Sequence, residues 1–156
     1  MARLSESLVL VPLVEAKDYG SAGIDSDGVN LGLLNAFTAV YAFGALTGDS
    51  VLKVYVGATA AKTTAIAFKY RFGQADYKVA LADTLGDPVT VASTGLTLTA
   101  ATFDHRMIVI EIDPDTLSGG LPWVTIEINS TATVLNVGAV AVARGRMIAH
   151  TQPSVI

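Results

Sequence analysis

The chain is 156 residues long, with 51% hydrophobic and 15% charged residues, a mean hydropathy of +0.51 and no cysteine. Its net charge of −4 and sequence pI near 4.9 leave no basic footprint for nucleic acid. Without cysteine there can be no disulfide staples, thiolate metal sites or cysteine nucleophile. Soluble domains carry about 25% charged residues, so a chain this apolar is expected to bury much of its surface against copies of itself or a partner. Its length and lack of a linker-like run predict one folded unit.

Residues 1–30 read as an N-terminal arm and turn-rich segment, and 31–156 as the main domain. Met1–Ser7 has one Arg, one Glu and then an apolar run broken by Pro12. That is a poor match to a signal peptide, so synthesis in the cytosol is expected. A strand is predicted at Leu8–Val14, followed by turns at 18–23 and 25–28. Residues 28–48 carry no formal charge, yet Asn30, Asn35, Thr38, Thr47 and four glycines interrupt them. Such a segment is too polar for a membrane helix, and Ala36–Phe43 reads as a strand.

Period-two alternation governs the rest. Val51–Val56 sets Leu52, Val54 and Val56 against Lys53 and Tyr55, and Ile66–Phe72 sets Phe68, Tyr70 and Phe72 against Lys69 and Arg71. Ala75–Leu85 is the one stretch where a short helix competes. Pro88–Ala92 and Leu96–Ala100 read as short strands. Arg106–Asp113 is apolar through its centre, as in a strand covered on both faces. Trp123–Asn129 alternates, and Ala132–Ala143 ends in Ala139–Ala143, apolar on both sides. Turn residues separate these runs at Thr47–Ser50, Leu85–Pro88, Asp113–Thr116 and Ser118–Gly120. Nine or ten strands without a convincing helix predict an all-β single-domain sandwich with jelly-roll-like connections and an extended N-terminal arm.

Candidate chemistry is sparse. Asp25-Ser26-Asp27-Gly28 opens like a calcium loop, but Val29 and Ala36 stand where further ligands belong, which favours a turn. Glu111, Asp113 and Asp115 lie at a strand end, where carboxylates are ordinarily solvated, and no second acidic cluster converges on them. His105 and His150 form no ligand-spaced pair, and His105 reads as a hydrogen-bonding residue at a loop top. Nucleophile-elbow, phosphate-loop and dinucleotide glycine patterns are absent. Asn129-Ser130-Thr131 is a glycosylation sequon that means nothing without secretion. Lys69, Arg71, Arg144 and Arg146 either solubilise a strand or pair across subunits. No catalytic, cofactor-binding or metal residue is therefore assigned, no cofactor is expected and the chain is not expected to be an enzyme.

Several strings resemble the small capsid decoration (cement) proteins of tailed bacteriophages: Tyr19–Asn30, Phe43–Tyr55, Gly95–Thr102 and the closing Pro153–Ile156. The resemblance implies a jelly-roll or related β-fold and a homo-oligomer, with trimers at local threefolds favoured and dimers at twofolds the alternative. It also implies a place on the outer capsid surface of the virion, clamping adjacent major capsid protein subunits, with no nucleic-acid or membrane partner. It carries over no site residues. The alternative is a carbohydrate- or host-surface-binding sandwich, such as a head fibre or tail-associated module, stacking sugars on Trp123 or on Tyr19, Tyr41, Tyr55, Tyr70 and Tyr77.

Overall fold

A computed structural model describes residues 8–78 and 84–145. The chain is all-β. Twelve strands among the described residues form two antiparallel six-stranded sheets. Sheet A runs β1 (Val9–Asp18), β12 (Val134–Gly145), β4 (Leu34–Thr47), β10 (Met107–Ile112), β7 (Phe68–Phe72) and β8 (Val89–Val91). Sheet B runs β2 (Ile24–Asp25), β11 (Trp123–Ser130), β5 (Ser50–Gly57) and β6 (Thr64–Ile66). In addition, β3 (Val29–Asn30) lies on β11 and β9 (Leu96–Leu98) on β5.

With β6–β8 set aside as an insertion, the order is β1-β12-β4-β10 facing β2/β3-β11-β5-β9. The chain crosses between sheets at every step except β5 to β9, which pair within sheet B, and that is the double Greek key of a jelly roll. The expected sandwich is thus present with jelly-roll connectivity. The segment expected as an arm is described from Leu8 onward, and there it runs along the chain's own sheets. β1 pairs with β12, while β2 and β3 pair with β11.

Alternation places the core. Leu52, Val54, Ile126 and Ile128 from sheet B meet Ala39, Tyr41, Phe43, Ile108 and Ile110 from sheet A, all essentially inaccessible to water. Each such Leu, Ile or Phe contributes roughly 1.5–3 kcal/mol relative to exposure. The β4–β5 turn, Thr47–Ser50, uses Gly48 at φ 83, a conformation that costs other residues more.

Three expectations need correction. Ile66–Phe72 is not one strand: Ile66 pairs with Val54 in sheet B, whereas Phe68 pairs with Val91 in sheet A, so the chain turns a sandwich corner at Ala67. The strand expected at Leu96–Ala100 ends at Leu98, and Ala100 instead begins a single helical turn, α1 (Ala100–Phe103), that buries Phe103. Strand 10 is Met107–Ile112, preceded by His105 at φ 52. The stretch where a helix competes is described only at its ends, since residues 79–83 lie outside the described residues. Residues 1–7 and the tail from Arg146, including His150 and Pro153–Ile156, also lie outside them.

One polar atom in the core lacks a partner. Among the described residues, the Tyr41 hydroxyl is buried with no hydrogen bond. Burial pushes its ionisation far above the usual tyrosine range, and nearby Ser26 relieves this only slightly. Ser26 Oγ already donates to Asp27 O at 3.0 Å and accepts from Ile126 N–H at 2.9 Å. Tyr41→Phe removes an unpaired hydroxyl, so stability in urea should stay level or rise by about 1 kcal/mol. A loss above that would reveal a bond held by the hydroxyl.

Candidate functional site

The two sheets present very different faces to solvent. On the outside of sheet A the strand register builds two full rows, Leu10–Val142–Thr38–Glu111–Lys69 and Pro12–Val140–Val40–Val109–Arg71. A third row is Gly138–Ala42–Met107. Across β1, β12, β4 and β10 these rows hold a single ionisable group, Glu111. Leu10 is 58% exposed and Val140 38%. Next to Leu10 lies a shallow hollow of about 660 Å³, floored by small residues such as Ala42, Gly44 and Gly138 and walled by Val140, Lys17 and Tyr77. Lysine and arginine stand around these rows, at Lys17 on the wall of the hollow, on β7 and at Arg144.

Sheet B turns a charged face outward. Asp25, Glu127 and Lys53 form one row across β2, β11 and β5. Lys62 reaches over that row, with Nζ donating to Asp25 Oδ1 at 2.7 Å and to Glu127 Oε1 at 2.9 Å. The same ammonium sits 5.5 Å from the Tyr55 ring centroid. Partial burial alone would raise the Glu127 pKa, but hydrogen bonds from Lys62 and Tyr55 outweigh it and hold the carboxyl below its usual range. Burial likewise opposes the Lys62 charge, and the two carboxylates overcome it, raising the lysine.

The sign of the pH dependence follows. The contribution from Glu127 is complete above the ordinary carboxylate pKa and is lost as pH falls through the depressed value. That from Lys62 is complete below the ordinary lysine pKa and is lost as pH rises through the raised one. Lys62→Met should therefore cost about 1 kcal/mol at pH 7. It should also flatten the decline in urea midpoint as pH falls below the ordinary carboxylate range, the side on which the depressed Glu127 carboxyl takes up its proton. An unchanged acid limb would show that the cluster contributes nothing.

The residues singled out in the sequence scatter across the molecule. Asp25 belongs to the Lys62 cluster, and the Asp27 backbone N–H donates to Leu13 O. Asp113 Oδ1 accepts from Asp115 N–H at 3.0 Å and Pro114–Thr116 forms a 3-10 turn, as expected of a turn. Glu111 and Asp113 border a 340 Å³ recess with Lys69 and Thr90. Among the described residues no three His, Asp or Glu side chains gather as metal ligands.

His105 Nδ1 lies 2.9 Å from Asp104 Oδ2, while Asp104 Oδ1 accepts from Leu46 N–H at 2.8 Å. That backbone bond is the main reason the Asp104 carboxyl sits below its usual range. The pair ties the start of β10 to β4, the loop-top role expected of His105. Of the aromatic residues, Tyr41 and Tyr70 are in the core. Tyr55 and Trp123 occupy diagonal positions on the outside of sheet B, where Tyr55 faces Thr125 and Trp123 faces Gly57. Reading the sequence missed Lys62, which lies in a featureless Ala-Ala-Lys-Thr-Thr run. The Glu127–Lys53 register was the one trace of a charged face.

No protein-family profile and no curated protein sequence matches the chain. Two solved structures were found similar, one titled "Structure of infectious bursal disease virus Gx strain" and the other "Crystal structure of infectious bursal disease virus VP2 subviral particle". Each is 11% identical and aligned over 88% of this chain, with TM-scores of 0.18 and 0.19. The chain spans about two fifths of the length of those proteins, 42% and 40%. Likeness at that level carries no argument, and the jelly-roll assignment rests on the strand order alone.

Proposed function

We propose that this chain is a structural virion protein, a non-enzymatic subunit that decorates the outer surface of a tailed-phage head. There it cements the shell by bridging adjacent major capsid protein subunits. The observation that carries the reading is the uncovered aliphatic face of sheet A. Isolated soluble domains seldom leave so wide an apolar surface open. Of the strings that resemble decoration proteins, Tyr19–Asn30 lies along the β2/β3 edge of sheet B and Phe43–Tyr55 spans the turn between β4 and β5. Many modest contacts repeated over a shell would resist internal pressure through multivalency. The protein would be made in the host cytoplasm and need no cofactor, nucleic acid or membrane; among the described residues no helix is long and apolar enough to cross one.

The test is saturable binding of the purified chain to expanded heads, scored by co-sedimentation and by cryo-EM of the decorated particle. Folded protein that leaves heads bare at micromolar concentration overturns the reading. One observation favours the carbohydrate-binding alternative, namely Tyr55 and Trp123 on one outer face. Jelly rolls also serve as lectin domains. Glycan binding abolished by Trp123→Ala in a chain that still folds would establish that alternative.

A further inference from the structure

We infer that the outer face of sheet A is a homodimer interface, on which a second copy of this chain stacks its own sheet A about a twofold axis. The inference rests on the assembly reading above and names the partner for that face.

Three features select a second copy. The first is shape. The face carries both a projection, Leu10, and a hollow floored by Ala42, Gly44 and Gly138 with Val140 and Lys17 on its wall. A twofold axis brings the projection of each copy over the hollow of the other, as an isologous contact requires. The second is charge. The central rows are nearly free of ionisable groups, so face-to-face stacking buries almost no like charges. The ionisable groups around them are of both signs, Glu111 beside Lys69 and Arg71 on one side and the Glu15–Lys17 ion pair by the hollow on the other.

The third feature is area. Four strands about 4.8 Å apart, with the central pair running some ten residues at about 3.4 Å each, make a face of roughly 600–700 Å². That approaches the roughly 800 Å² per partner of a standard stable interface. Sheets stack face to face at about 10 Å, the spacing that aliphatic side chains of this size fill. A flat face covered by one copy has no room for another, so this contact makes pairs and not threefold rings. It leaves the two charged sheet B faces pointing in opposite directions, an arrangement suited to bridging two separate neighbours.

The test is sedimentation equilibrium of the full chain from about 1 to 100 μM, a range in which an interface of standard size should be occupied. The wild type should run at twice the 16.2 kDa chain mass. Val140→Lys should run as a folded monomer, because a charge would then sit at the centre of the stack. Leu10→Asp, at a more exposed position, should weaken association at least tenfold. Thr97→Lys, on the outside of sheet B, should leave the dimer intact. Val140 lies on an interior strand, so a pair joined edge to edge through β1 or β8 would survive V140K, and that survival overturns the inference. So does a wild type that stays monomeric across the range, or a trimer insensitive to both face variants. Head binding is scored separately. A V140K-sensitive dimer that ignores heads upholds this inference and sinks the decoration reading, whereas head binding by a wild-type monomer does the reverse.

Discussion

Gly23→Ala should be among the most damaging single-methyl changes in this protein, costing about 3–5 kcal/mol from backbone strain and steric clash together. Gly23 has φ 64 and ψ −174, a region that is essentially restricted to glycine. A Cβ there would lie 2.5 Å from Ile128 O and 3.2 Å from Ser130 N, both backbone atoms of an interior strand. The strand cannot yield, because Ile128 is paired with Leu52 on its other side and its side chain is fully buried. The alternative is for Gly23 to move, which pulls Ile24 off Ile128 and loosens the clasp in which Ser26 and Ile126 exchange backbone and side-chain bonds. Native domains hold only about 5–15 kcal/mol in all, so the variant should show a much lower urea midpoint. Gly119→Ala is the control, since no atom lies within 4 Å of its Cβ position. It should fall within about 0.5 kcal/mol of wild type. Equal midpoints for the two variants would show that the Gly23 backbone is not held as described.

The sequence makes the strands legible wherever one face is wet. β5 and β11 alternate because their outward residues, Lys53, Tyr55, Thr125 and Glu127, meet solvent or the Lys62 loop while Leu52, Val54, Ile126 and Ile128 fill the core. The corner at Ala67 leaves no such mark. A strand that passes from one sheet to the other around the edge of a sandwich keeps its inward side inward. The alternation from Ile66 to Phe72 therefore runs unbroken through a change of partners. The helical turn at Ala100–Phe103 is hidden for another reason. Four residues are too few to show a helical period, and Leu96–Leu98 just before it alternates as a strand.

The candidate face was legible as an excess, not as a place. Ala139–Ala143 reads as apolar on both sides, and so does the centre of Arg106–Asp113. In the fold these two stretches diverge. Val109, flanked by β4 and β7, is 8% exposed, whereas Val140 remains 38% exposed although it too has strands on both sides. The difference lies in the neighbouring side chains: Val109 is bordered by Val40 and Arg71, Val140 by Val40 and Pro12. A long arginine stem can cover apolar surface that a proline ring cannot. Nothing in the local pattern of β12 distinguishes a strand covered by its own chain from one awaiting another copy.

Phe43→Ala should separate the stability of the fold from the stability of the pair. Phe43 is fully buried and stacks near Tyr41 at 6.3 Å between centroids, and its backbone N–H donates to Arg106 O. Truncating a phenylalanine in such a site costs about 3–5 kcal/mol, from lost transfer energy and the cavity left behind. For a chain of this length each kcal/mol moves the midpoint by about 2–4 °C, so Tm should fall by about 6–20 °C. Its flanking residues Ala42 and Gly44 face outward into the hollow, so at low temperature, where the variant remains folded, association should stay near wild type. Val140→Lys should behave in the opposite way, with little change in the dilute-limit Tm and loss of the pair. Because a dimer stabilises only the folded state, the wild-type and F43A midpoints should both rise with protein concentration, while that of V140K should not. If F43A lost the pair while still folded, or if V140K kept a concentration-dependent midpoint, the core and the outer face of β4 could not be the separate surfaces that the strand register makes them.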